Sequence, residues 1–150
     1  MRLWRLIKPQ FSPGLDGEGS RLWGGRWNSP GTPVVYTASS LALAALEYFV
    51  GIPSHLRKPG DLPILVAVAV QVPDHLLHPF DMASLPENYG IADCRVAGDG
   101  WSVGQASLGL MVPSQVIRRE MNILLNPAHP DMPQVQVAVS EPFFFDDRLV

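Results

Sequence analysis

The chain has 150 residues, with 14 acidic against 11 basic side chains and a formal net charge of −3. That length fits one domain, residues 1–150, with one core; a content of 47% hydrophobic and 17% charged residues excludes a disordered polar chain. The Lys and Arg residues are scattered and form no basic stripe, which argues against direct nucleic-acid binding.

Cys94 is the single cysteine, so it forms no intrachain disulfide and builds no thiolate metal cage by itself. A reducing cytoplasm is the expected compartment. The opening MRLWRLIKPQ holds no long apolar stretch and no run approaches membrane-spanning length, so neither a signal peptide nor a membrane anchor is expected.

The 15 prolines and 13 glycines predict short elements joined by turns. Residues 2–7 read as a first strand. Residues 11–25 read as an irregular loop, because Pro13, Gly14, Gly17 and Gly19 oppose regular structure. A short strand is expected over 26–28, then the turn Ser29-Pro30-Gly31. Residues 34–38, VVYTA, are β-branched and aromatic enough for a strand. Ser39 and Ser40 stand where an N-cap belongs, before the helix LALAALEYFV, which Gly51 and Pro53 end. The nearly continuous apolar run 62–72 reads as a buried central strand, stopped by Pro73. Periodicity fades from 73 to 109. Strands are expected again at 108–113, 121–126 and 135–139, and the aromatic FFFDD near the end is expected to pack on the core. The sum is one α+β domain with a mixed sheet and flanking helices.

Some residues carry chemical potential. Glu47 is a lone carboxylate on an otherwise apolar helix, so it either marks the solvent side or is held in a site. In Gly24-Gly25-Arg26-Trp27-Asn28, the glycines permit close approach of a ligand and the guanidinium offers a fork suited to phosphate. The same residues also suit a tight turn with a surface arginine and a core tryptophan. Tyr36 offers a flat face and a hydroxyl, or is an ordinary core tyrosine. Ser114 either donates to a ligand or simply turns the chain. His55, His75, His78 and His129 come without an HExxH pattern, so no metal is expected.

Taken in order these residues form a recognisable pattern. The run RLWGGRWNSPGTPVVYTASSLALAALE resembles the first block of the RES family, named for its Arg, Glu and Ser. VPSQVIRREMNILLNPAHP resembles the family's last block, and the opening LWRL and the closing DDRLV fit its ends. The resemblance implies a fold similar to ADP-ribosyltransferases, with a split mixed sheet around an NAD+ cleft. It implies a bacterial, cytoplasmic toxin that cleaves NAD+ at the nicotinamide–ribose bond, passing ADP-ribose to water, to phosphate or, as an ADP-ribosyltransferase, to a protein. It matches the family's Arg to Arg26, its Tyr to Tyr36, its Glu to Glu47 and its Ser to Ser114. Asn122 fits the last block as a further NAD+ contact, whereas Asn126 is read as fixing the turn before Pro127.

From the chemistry and the resemblance together, Glu47 would stabilise the developing oxocarbenium charge and Arg26 would hold the pyrophosphate. Tyr36 would pack on nicotinamide, and Ser114 would orient ribose or Glu47. The implied partner is an Xre-type antitoxin that covers the cleft. An exposed FFF segment would favour a homodimer. A catalytically inactive binding module is the competing reading, and the filled polar positions argue against it.

Overall fold

The computed structural model describes residues 1–150. Its strands are β1 (Arg2–Ile7), β2 (Val35–Ala38), β3 (Leu65–Gln71), β4 (Leu77–Pro79), β5 (Gly109–Pro113), β6 (Met121–Leu125) and β7 (Gln136–Phe143). Its α-helices are α1 (Glu18–Trp23), α2 (Leu41–Gly51) and α3 (Ile91–Gly104). The strands make one mixed sheet in the order β4-β5-β6-β2-β1-β3-β7. Only β4 and β5 run parallel; every other neighbour is antiparallel. The expected α+β class with a mixed sheet is the observed one. No helix is long and apolar enough to cross a membrane.

Register decides which side chains share a face. Tyr36 opposes Leu124 and Ala38 opposes Asn122, so these residues point to one side of the sheet. On that side α3 packs Cys94 and Trp101 against Trp27, Leu110, Val112 and Leu124. There too α2 sets Leu43 and Ala44 against Ala38 and Trp4. The other side buries Leu3, Val35, Val68, Val70, Ile123 and Leu125 beneath loops that bring Leu15, Leu76, Met132 and Val135.

β1 and β2 share a single registered pair, Trp4 opposite Ala38. Beyond it the two strands separate. β1 stays fully paired to β3 from Arg2 through Ile7, and β2 to β6 along its whole length. The opening between Arg5–Ile7 and Val34–Thr37 becomes the cleft described below.

Ser40 caps α2 as expected, its Oγ accepting from the Leu43 amide at 3.1 Å. The structure departs from the sequence expectations at four places. Residues 18–23 are helical despite Gly19 within and a glycine at each cap: Gly17 adopts φ 69° at the N-cap, and Asp16 accepts from the Glu18 amide at 3.0 Å. Residues 26–28 form no strand but lie in a tight turn closed by an isolated bridge between Gly25 and Asn28. β3 is buried as expected, yet it lies beside the edge strand β7, and β2 takes the central place. The stretch without periodicity contains the longest helix, α3, whose glycines hide its pattern. At the C-terminus, Phe143 and Phe145 meet edge-on at 5.1 Å, and Phe145 also packs on Tyr48 and Phe49 of α2, leaving Phe144 exposed.

Candidate active site

Glu47 turns toward the sheet. α2 begins just past Ala38, and two turns later its carboxylate reaches Asn122, the residue paired with Ala38. Asn122 Nδ2 donates to Glu47 Oε1 at 2.6 Å, and Ser114 Oγ donates to the same oxygen at 2.7 Å. Ser114 follows β5 directly and is fully buried. Its hydroxyl oxygen also accepts from the amides of Val116 and Ile117, both at 3.0 Å, so its proton has one available acceptor, the carboxylate. One oxygen of Glu47 is therefore fixed by two donors, while Oε2 makes no protein hydrogen bond.

Tyr36 lies on the same face of β2. Its hydroxyl donates to Asn28 Oδ1 at 2.6 Å and accepts from the Trp27 amide at 3.0 Å. Burial pushes this phenol up to about 12, against weaker opposing effects of the Trp27 amide and Arg95, so it stays a donor through the working range. Asn28, fully buried, donates to the carbonyls of Ser20 at 2.9 Å and Thr32 at 2.8 Å. Helix α3 braces the turn from outside: Arg95 Nε donates to the Gly25 carbonyl at 2.8 Å, and Asp99 accepts from the Ser29 amide at 2.9 Å. Two glycines are needed for close approach. A Cβ on Gly25 would stand 2.5 Å from the Tyr36 hydroxyl, and one on Gly98 would stand 1.7 Å from the Trp27 carbonyl oxygen.

The result is a loop braced on all sides that carries Arg26. Its guanidinium lies against the Cys94 thiol, whose pKa is raised by burial and pulled the other way by Arg26. No carboxylate pairs with Arg26.

The cleft itself has three joined lobes, each touching Tyr36. A lobe of ≈ 640 Å³ is bordered by Gly25, Arg26, Tyr36, Glu47, Gln115 and Asn122. A narrow one of ≈ 200 Å³ runs past Trp4, Arg5, Glu47, Tyr48 and Asn122. A third of ≈ 680 Å³ opens between Arg5, Asp16, Trp23 and Tyr48. Arg26, Tyr36, Glu47 and Asn122 thus border one lobe, and Ser114 stands behind Glu47. Asn126 is apart from them: its Nδ2 donates to the Ser102 carbonyl at 2.9 Å and its Oδ1 accepts from the Ala128 amide at 3.0 Å, holding the turn before β7.

Several contributors escaped the sequence reading. Arg5 projects into the split between β1 and β2 and donates to the Gly14 carbonyl, but its buried Nε has no partner. Burial lowers its pKa to about 10, partly offset by Asp16. An arginine in the middle of an apolar strand was the available signal. Asn122 Oδ1 is a second buried polar atom without a partner. Asn28, Arg95 and Asp99 hold the Arg26 turn, and nothing local in the sequence marks them. The histidines stay apart from the cleft, and no three His, Cys, Asp or Glu side chains converge as a metal site would require.

A seven-stranded mixed sheet split at a cleft, with a carboxylate pinned by serine and asparagine across from an unpaired arginine, defines an α+β domain with an enzyme-like site. The sequence profile of the RES domain matches residues 2–146. The Prs ADP-ribosylating toxin of Sphingobium sp. is 36% identical over 159 residues, covering 98% of this chain and 95% of its own. A Toxin Res of Photorhabdus laumondii is 31% identical over 156 residues, covering 100% of this chain and 97% of its own. The chain belongs to the RES family. In fold it is similar to a chain from the crystal structure of the Mycobacterium tuberculosis MbcT–MbcA toxin–antitoxin complex, with a TM-score of 0.67 and 20% identity over 95% of this chain and 83% of that one.

Proposed function

We propose that this chain is the toxin of a bacterial toxin–antitoxin pair and splits NAD+ at the nicotinamide–ribose bond. The observation that carries the reading is the asymmetric Glu47 carboxylate: Oε1 is fixed by Ser114 and Asn122, and Oε2 has no protein partner in a cleft bordered by Arg5 and Arg26. NAD+ joins a diphosphate to a ribose with a cationic leaving group, and this set of side chains complements both parts. Arg26 takes the diphosphate from its lobe of the cleft, and Arg5, lining the adjoining lobes past Tyr36, is a second guanidinium in the same cleft. Arg5 brings a buried donor that lacks a partner, and Arg26 a guanidinium without a counter-ion.

In the reaction the C1′–N bond breaks and its electron pair passes to the nicotinamide ring, neutralising the ring's charge. No general acid is needed. Positive charge develops on the ribose, and the Glu47 carboxylate stabilises it while accepting from ribose hydroxyls. Pinning Oε1 beforehand means that little reorganisation accompanies the step. Tyr36 supplies a wall of the cleft and holds the Arg26 turn through Asn28.

Transfer of ADP-ribose to a protein is a second reading, favoured by the 36% identity to a relative named for ADP-ribosylation. An antitoxin of Xre type is the proposed partner, supported by the fold's likeness to a chain of a toxin–antitoxin complex. Phe11, Leu22 and Trp23, the last 81% exposed, ring the outer lobe and offer the apolar surface such a partner would cover.

The test is incubation of the purified chain with NAD+ and mass-resolved product analysis, with and without phosphate and cell extract. Nicotinamide release is expected, and the companion product names the acceptor as water, phosphate or protein. No release under any of these conditions would refute the proposal.

A further inference from the structure

We infer that a second anion subsite lies behind Arg26 and takes a phosphoryl dianion, either inorganic phosphate or a phosphate monoester. A pocket of ≈ 390 Å³ is lined there by Arg26, Tyr89, Pro113, Ser114, Gln115 and Arg118. Pro113 and the Tyr89 ring are its only apolar walls, and no carboxylate borders it. In a chain of net charge −3, two guanidiniums share this pocket and neither forms an ion pair. A phosphoryl dianion matches two guanidinium forks, the Tyr89 hydroxyl and the Gln115 amide, all of which can donate.

The pocket is tied to Glu47 by one short loop. The Ser114 amide donates to the Glu120 carbonyl at 2.8 Å, and the Glu120 amide donates to the Ile117 carbonyl at 2.9 Å, closing the loop that carries Gln115 and Arg118. Ser114 Oγ organises the start of this loop through the Val116 and Ile117 amides and donates to Glu47 from the same atom. An anion held by Arg118 therefore sits one buried serine away from the carboxylate. Arg26, Pro113 and Gln115 border this pocket and the Glu47 lobe alike, so the two spaces meet along one short wall.

The functional meaning of the subsite rests on the NAD+ reading, but its existence does not, and the experiment separates the two. Binding of inorganic phosphate and of AMP to the full chain is measured by calorimetry for wild type and Arg118→Gln, alongside nicotinamide release from NAD+ and NADP+. Arg118 is exposed and makes no protein hydrogen bond or ion pair, so the variant keeps the fold. At least one of the two anions is expected to bind, about tenfold more weakly in the variant, as loss of a charge-assisted hydrogen bond implies. Saturable acceleration of nicotinamide release by phosphate, lost in Arg118→Gln, would identify free phosphate as the occupant. A preference for AMP, or for NADP+ over NAD+, that disappears in the variant would identify a monoester. Arg118-dependent anion binding by a chain inert towards NAD+ would leave the subsite standing and remove the proposed reaction. Equal binding by wild type and Arg118→Gln, or none by either, would overturn the subsite.

Discussion

The two sides of the cleft are built by different means. Glu47 and Asn122 sit on regular elements, α2 and β6, and the pairing of Asn122 with Ala38 sets where the helix begins and which residue its carboxylate meets. Arg26 sits on a turn that no ladder holds. Its position depends on Asn28, Tyr36, Arg95 and Asp99, the last two reaching back from helix α3, some 70 residues later in sequence. Both sides close over long sequence separations, but Glu47 is placed by a cooperative backbone ladder, whereas Arg26 is placed by individual side-chain contacts. The carboxylate side should therefore tolerate damage to the turn, while the arginine side should fail whenever α3 moves.

The harshest way to break that asymmetry is Gly98→Ala. Its methyl would meet the Trp27 carbonyl oxygen, a backbone atom that cannot step aside, so α3 must shift. The expected cost is about 1–3 kcal/mol or more, read by thermal denaturation, with a large rise in KM for NAD+. An unchanged melting temperature would show that α3 does not brace the turn. Next come Asn28→Ala and Ser114→Ala as a pair. Each orphaned buried polar group costs about 1–3 kcal/mol, and both variants lose several bonds. Their kinetics should separate: Asn28→Ala raises KM with the smaller change in kcat, and Ser114→Ala lowers kcat by about 10- to 100-fold, the value of a hydrogen bond to a charged group. Identical KM and kcat patterns would erase the distinction between the sides.

Tyr36→Phe is the mildest. It removes one donor to Asn28 and one acceptor for the Trp27 amide while keeping the ring. Because burial holds the folded phenol up to about 12, against 10 for an unperturbed group, the folded chain keeps a proton that the unfolded chain loses. Its contribution to stability is complete below pH 10 and disappears as pH rises through 12. Spectrophotometric titration should show the last tyrosinate band missing in the variant; a wild-type Tyr36 that ionises near pH 10 would contradict the burial.

Legibility from sequence followed the same division. Strand β1, strand β2 and the Ser40-capped α2 were readable, because alternation, β-branching and capping are local signals. Helix α3 was not, since Gly98, Gly100 and Gly104 interrupt its apolar pattern, and Gly98 is fixed by contact with Trp27 instead of by helix propensity. For the site, Arg26, Tyr36, Glu47, Ser114 and Asn122 came from the two family-like blocks, and the structure brings them around one cleft. Arg5 has no local signal beyond its place in a strand, because the split that admits it appears only when β1 leaves β2 after one pair. The role of Tyr36 also changed in kind: its hydroxyl is committed to Asn28 and Trp27, which makes it a support of the arginine turn as well as a wall.

The most direct test of the account is nicotinamide release from NAD+ by the purified chain and by Glu47→Gln, compared at equal folded concentration. Glutamine keeps the shape and removes the charge, so release by wild type and a fall of about 10²–10³-fold in the variant, as for other losses of transition-state electrostatics, is the predicted result. Equal release by the two proteins would contradict the claim that this carboxylate stabilises the breaking of the bond.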